Sequence, residues 1–274
     1  MSPDAASASS TVPDFTLAGR RALVSGSTQG IGKAIALAFA AAGATVDLVG
    51  RNPDGLARVL GELPRPAGQT HTSLTVDFAD WRSVERAAQE HASRVGTVHI
   101  LVNNTGGPAA GLAIDARPEE FVQAMAMHLG SFQALAQAFA PGMREARYGR
   151  IINITSTSVV TPIKGLGVSN TVRAAVANWT RTLATELARF DITVNNILPG
   201  FTKTARLDAL MKGKASRAGA TVDEVERDAI ATIPAGRFGS ADEIAAVALF
   251  LASPAASYVN GVNLPVDGGR LAGQ

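Results

Sequence analysis

Ser156 closes the apolar run "GRIINITS", and thirteen positions later Ser169 and Arg173 stand one helical turn apart in "SNTVR". Two hydroxyls and a guanidinium offer hydrogen bonds and one fixed positive charge to a substrate oxygen. Thr155 and Ser158 are neighbouring alternatives to Ser156. His128, in "FVQAMAMHLGSF", titrates near neutrality and could donate a proton, although among Met125, Met127 and Leu129 a packed helix histidine is the more ordinary reading. Lys164 in "TPIKGLG" is a second candidate acid. None is a phenol: the only tyrosines, Tyr148 and Tyr258, lie outside this segment. An alkyl hydroxyl is a far weaker acid than a phenol, and arginine does not deprotonate.

A second constellation is "SGSTQGIGKA", where Gly26, Gly30 and Gly32 follow an apolar strand and lead into a helix. Absent side chains let the backbone approach a pyrophosphate, and a helix N-terminus presents free N–H groups to an anion. The next strand ends "LVGRN" without an acid, so Arg51 stands where a guanidinium can pair with a ribose 2′-phosphate; a solvated loop arginine is the bland alternative. Asp77, after the third strand, fits either an adenine edge or a helix cap.

These residues sit between short apolar runs and helix-length segments that alternate along the chain. "RALVSG", "TVDLVG", "THTSLTV", "VHILVNN", "GRIINIT", "ITVNNILP" and "VNLPVD" read as strands; 30–42, 53–62, 80–95, 117–141, 169–189 and 241–252 read as helices. The pattern predicts an α/β fold, a single-domain Rossmann-like doubly wound parallel sheet of about seven strands with helices on both faces. In helix 169–189, Val172, Val176, Trp179, Leu183 and Leu187 trace the buried stripe. Segment 201–239 is poorly patterned and reads as a lid with helical pieces.

The chain has 274 residues, 46% of them hydrophobic, which suits one substantial core over 17–274 behind a disordered tail at 1–16. The tail shows no basic and apolar regions of a signal peptide. A net charge of +2 argues against a nucleic-acid partner, and no apolar run is long enough for a membrane span. Absence of cysteine removes disulfides and thiolate chemistry and favours a cytoplasmic home. No metal site is expected.

The spacing G-x-x-x-G-x-G, with "VNNTGG" at 102–107, "NNILPGFTKT" at 195–204 and "AGRFGSADEIAAVALFLASPAASYVNGVNLPVDGG", resembles the short-chain dehydrogenase/reductase superfamily over residues 17–269. The resemblance implies a nicotinamide dinucleotide, NADP(H) preferred and NAD(H) possible. It would be held by Gly26, Ser27, Gly30, Ile31, Gly32, Arg51, Asp77, Asn103, Gly106, Arg173, Pro199, Gly200, Thr202 and Thr204. It also implies a small-molecule substrate, and a homotetramer or homodimer formed through helices 117–141 and 169–189. In that family a serine orients the substrate oxygen, a tyrosine protonates it, a lysine four residues on assists, and an asparagine anchors a relay water. Only the serine has a counterpart, Ser156; Ser169, Arg173 and His128 occupy the other three places.

Three functions follow from this mixture. An oxidoreductase for a carbonyl or alcohol would take its proton from His128, Lys164 or an ordered water. A non-catalytic dinucleotide-binding sensor or partner subunit would need none. Altered chemistry in the same cleft could use an anionic substrate drawn by Arg173.

Overall fold

In the computed structural model, which describes residues 14–273, seven strands form one parallel sheet in the order β3-β2-β1-β4-β5-β6-β7. They are β1 (Arg21–Ser25), β2 (Thr45–Gly50), β3 (Thr72–Thr75), β4 (Ile100–Asn103), β5 (Gly149–Ile154), β6 (Ile192–Pro199) and β7 (Asn263–Val266). The five inner strands are buried on both faces or nearly so, which is why their runs are largely apolar, while the edge strands β3 and β7 are only partly buried. Alternation sorts their side chains. Ala22, Val24, Ile152 and Ile154 face a layer made by α1 (Gly30–Ala41), α2 (Pro53–Glu62) and α9 (Ala241–Ala252). Leu23, Ile151 and Val194 face α3 (Trp81–Val95), α5 (Ser131–Glu145) and α6 (Gly167–Leu187).

Chain order reverses between β1 and β4, opening the crevice at the strands' carboxyl ends where open α/β sheets bind ligands. Along the sheet, Asn103, Asn153, Asn196 and Asn263 stand in register on β4, β5, β6 and β7. Asn103 donates to Asn153, Asn153 to Thr180, Thr180 to Asn196 and Asn196 to Asn263, at 2.7 to 2.8 Å. This row ties four strands and α6 together through the layer they share.

Three segments differ from expectation. The single helix at 117–141 is α4 (Pro118–Met125), a π-helical turn over Ala126–Gly130, and α5, which runs past Pro141 to Glu145. Proline removes one N–H, and full burial of Met143 keeps the following turn in place. In α6, Trp179 and Leu183 are only half-buried on the stripe that Val172, Val176 and Leu187 bury. Segment 201–239 holds two full helices, α7 (Ala205–Ala218) and α8 (Val222–Ala231), with their own small core of Leu207, Met211, Ala215, Val225 and Ala229.

Of the predicted tail, residues 1–13 lie outside the described residues. Residues 14–16 lie against α9 and the turn after it, with Phe15 6.4 Å from Phe250 and the Asp14 carbonyl accepting from the Ala255 N–H. Among the described residues no helix is long and apolar enough to cross a membrane.

Candidate functional site

The glycine turn is shaped by what a side chain would strike. A β-carbon on Gly32 would lie 2.2 Å from the Gly26 carbonyl oxygen, and Gly26 itself has φ +61°. Asn104 packs on the other side, its Nδ2 donating to the Ser25 and Gly26 carbonyls, its N–H to Ser25 Oγ. α1 begins here with no side-chain cap and no acid in its first turn, so its leading N–H groups and positive end are free for an anion. Ile31 is half-buried in that first turn.

Two residues assigned to this turn face elsewhere. Ser27 is fully buried and its Oγ bonds the Val49 N–H at 3.1 Å, holding β2. Asn103 is also fully buried, spent on the asparagine row; Asn104 is the neighbour that meets the glycines, while Gly106 faces open space. β4 points successive side chains to opposite sides, so only one of two adjacent asparagines can do so.

At the end of β2, Arg51 is exposed and forms no ion pair among the described residues. It lines a cavity of about 500 Å³ with Asp77, Ser83, Arg86 and Glu90. Arg86, five residues beyond Trp81 on α3, is a second cation there that sequence reasoning missed. Asp77 Oδ1 accepts the Ala79 N–H at 3.0 Å in the turn before α3, whose cap is Asp80 and not Asp77, and Asp77 borders the cavity.

The remaining elements meet at the carboxyl end of β5. Ser156 is half-buried and its Oγ accepts the Ser158 N–H at 3.1 Å, capping a short 3-10 turn. Arg173 donates to the Thr155 carbonyl at 2.7 Å and the Ile154 carbonyl at 3.3 Å, which fastens α6 to the strand end. Its Nε donates to the buried Ser169 Oγ at 3.2 Å. Asn170, between those two residues in sequence, bonds Ile163 in both directions and fixes the loop before α6. Burial, and then the nearby Arg206, lower the Arg173 pKa to about 10, so it stays charged at neutral pH.

His128 sits on the π-helical turn, 2% exposed. Its Nδ1 donates to the Ala124 carbonyl at 3.1 Å, leaving Nε2 as an acceptor with no partner. Burial, with Arg173 and Arg206 adding to it, pushes its pKa down to about 3. It therefore carries no proton to give near neutral pH, which corrects its expected use as an acid. Lys164 is exposed and unpaired among the described residues.

Pro199 ends β6, and the Gly200 N–H bonds the Val266 carbonyl. Thr202 is buried with its hydroxyl on the Gly200 carbonyl. Thr204 caps α7 and brings its methyl against Gly30, joining this loop to the glycine turn. Next to it, Arg206 reaches across to the Pro108 carbonyl at 2.8 Å. Among the described residues no group of acids and histidines is placed to hold a metal.

A family model described as enoyl-(acyl carrier protein) reductase matches residues 26–270. The chain is 35% identical to the 3-oxoacyl-(acyl-carrier-protein) reductase FabG of Pseudomonas aeruginosa, over 93% of its length and 98% of the relative's. L-sorbose reductase from Gluconobacter frateurii, solved with NADPH and L-sorbose, superposes with a TM-score of 0.88 at 32% identity, covering 94% of this chain and 98% of that one. A putative NAD(P)-dependent gluconate 5-dehydrogenase from Beutenbergia cavernae with bound NADP gives 0.85 at 36% identity, covering 94% and 99%.

Proposed function

The chain belongs to the short-chain dehydrogenase/reductase superfamily, and from that premise we propose that it is an oxidoreductase, NADP(H)-preferring, that interconverts a carbonyl and an alcohol without a phenolic acid. The observation that carries this reading is the cradle: a turn closed to any β-carbon at Gly32, an uncapped helix end, and unpaired Arg51 beside Arg86. A bound nicotinamide dinucleotide supplies or accepts the hydride. Gly26, Gly30, Ile31 and Gly32 would face its pyrophosphate, Arg51 and Arg86 its 2′-phosphate, and Thr204 the ring end.

On the substrate side, Ser169 does most of the work the geometry allows. Its oxygen accepts from Arg173, so its own hydrogen is free to donate and is polarised by a charged partner. Ser156 lies at the same strand end, and because its Oγ accepts in the cap its own hydrogen is free for that oxygen. Together they would stabilise the negative charge that develops on a reduced carbonyl oxygen. With His128 neutral and Arg173 permanently protonated, the proton comes from water entering the cleft. α7 and α8, holding a core of their own, would close over it.

NADPH binding followed by fluorescence, then turnover over a panel of ketones, aldehydes, sugars and acyl thioesters, tests this. NADPH should bind about tenfold tighter than NADH, and Arg51→Ala should erase the difference. Equal affinities throughout would remove the NADP preference. Tight NADPH binding with no turnover anywhere on the panel would favour a non-catalytic dinucleotide-binding protein instead. We further propose assembly as a homodimer or homotetramer through α5 and α6, whose facing surfaces leave a groove between Ala136, Ala140, Leu183 and Leu187; light scattering that gives a monomer contradicts it.

A further inference from the structure

Two guanidinium groups face one point of the cleft with no acid between them. The Nη2 atoms of Arg206 and Arg173 lie 3.0 and 3.2 Å from where a Gly107 β-carbon would stand. Arg173 comes from α6, bolted to the end of β5. Arg206 comes from the first turn of α7 and makes a single bond, to the Pro108 carbonyl. Among the described residues no carboxylate pairs with either. The amino end of a helix is the unfavourable place for a cation, so Arg206 stands where both the helix and Arg173 oppose it. The bonds each makes to backbone carbonyls leave the repulsion between the two charges uncompensated until an anion enters. Gly107 keeps the point open, since a side chain there would press on both groups.

We propose that Arg173 and Arg206 form a two-pronged anion site, and that the substrate carries a carboxylate close to the carbon that exchanges hydride. The closeness follows from one guanidinium serving two tasks. Arg173 Nε holds Ser169, the hydroxyl assigned to the reacting oxygen, while its Nη2 on the same edge faces Gly107. Carboxylate and reacting oxygen are then separated by little more than the width of that edge, which fits a short 2- or 3-oxo acid and the matching hydroxy acid. Flat, two-oxygen anions suit paired guanidinium forks better than a spherical ion does.

This inference rests on the oxidoreductase reading of the cleft, but its test needs no turnover. Malonate and its neutral analogue malonamide are titrated calorimetrically into the cofactor-free protein at constant ionic strength. Malonate should bind about tenfold or more tightly than malonamide. Arg206→Gln should abolish the preference and Arg206→Lys restore only part of it, with NADP+ leaving malonate affinity undiminished. Equal affinities for the two probes, or a preference that survives Arg206→Gln, would overturn the site. Tighter binding of inorganic phosphate than of malonate would overturn the carboxylate assignment, and displacement of malonate by NADP+ would give the pair to the cofactor. Should the anion site hold while no substrate turns over, only the oxidoreductase reading fails.

Discussion

Two charged clusters sit at opposite ends of the sheet, and they are built on opposite rules. At the strands' amino ends, Asp47 on β2 is fully enclosed and accepts from Arg21 at 2.7 Å, Thr72 at 2.7 Å and His91 at 2.9 Å. His91 Nδ1 accepts from Arg94, so its Nε2 carries the hydrogen given to Asp47. The buried carboxylate there has every donor it needs. At the carboxyl ends, Arg173 and Arg206 crowd one another without an acid, and His128 keeps a bare nitrogen. The other three histidines use a ring nitrogen on a backbone N–H or a neighbouring side chain. A closed network serves the fold alone, whereas an open one has unmet bonding capacity that only something from outside the chain can meet.

Breaking the closed cluster should produce the largest effect. Asp47→Ala strands Arg21 and His91 without their carboxylate, and removing one partner of a buried pair costs about 3–5 kcal/mol. Urea unfolding should show that loss as a lower midpoint. NADPH affinity of the folded fraction should change little, since the network lies at the end of the sheet away from the crevice. A cost below about 1 kcal/mol would mean that the three donors do not act as one unit.

The open cluster should instead show itself through pH. His128 has a folded pKa of about 3 against 6.5 for the free side chain. The unfolded chain therefore binds the extra proton first as pH falls. Stability is full above about pH 6.5 and declines by up to about 1.4 kcal/mol for each pH unit below it, until the folded pKa is reached. His128→Asn removes this component, so the difference between variant and wild type should shrink steadily from pH 7 to pH 4. Parallel pH profiles would show that His128 does not titrate as described.

The sequence made the framework legible because the framework is repetitive. Inner strands buried on both faces leave largely apolar runs, and α9 has the bounds 241–252 that its pattern predicts. The π-helical turn was not legible: one widened turn barely disturbs the 3.6-residue periodicity over 117–141. A signal for the asparagine row was present, since asparagine is a poor strand former and recurs late in "ILVNN", "RIINI" and "TVNNI" and again in "VNLPV". Arg206 gave a signal too, a cation just inside a helix that Thr204 starts. Its partnership with Arg173 depends on how α7 folds back over the cleft, which no local pattern encodes.

The smallest expected effect bears most directly on the contrast, because it converts the open cluster into a closed one. Arg206→Glu would place a carboxylate beside Arg173 and an acid in the first turn of α7, where the helix end favours it. The second gain is about 0.3–1 kcal/mol and the ion pair adds about 0–1 kcal/mol. Loss of the bond to the exposed Pro108 carbonyl offsets part of this. The net result should be stabilisation of up to about 1 kcal/mol, read as a higher urea midpoint, together with loss of malonate binding. If the variant is instead less stable, the crowding of Arg173 and Arg206 carries no cost in the native protein. Stabilisation accompanied by loss of malonate binding would show that the native pair trades stability for an anion site.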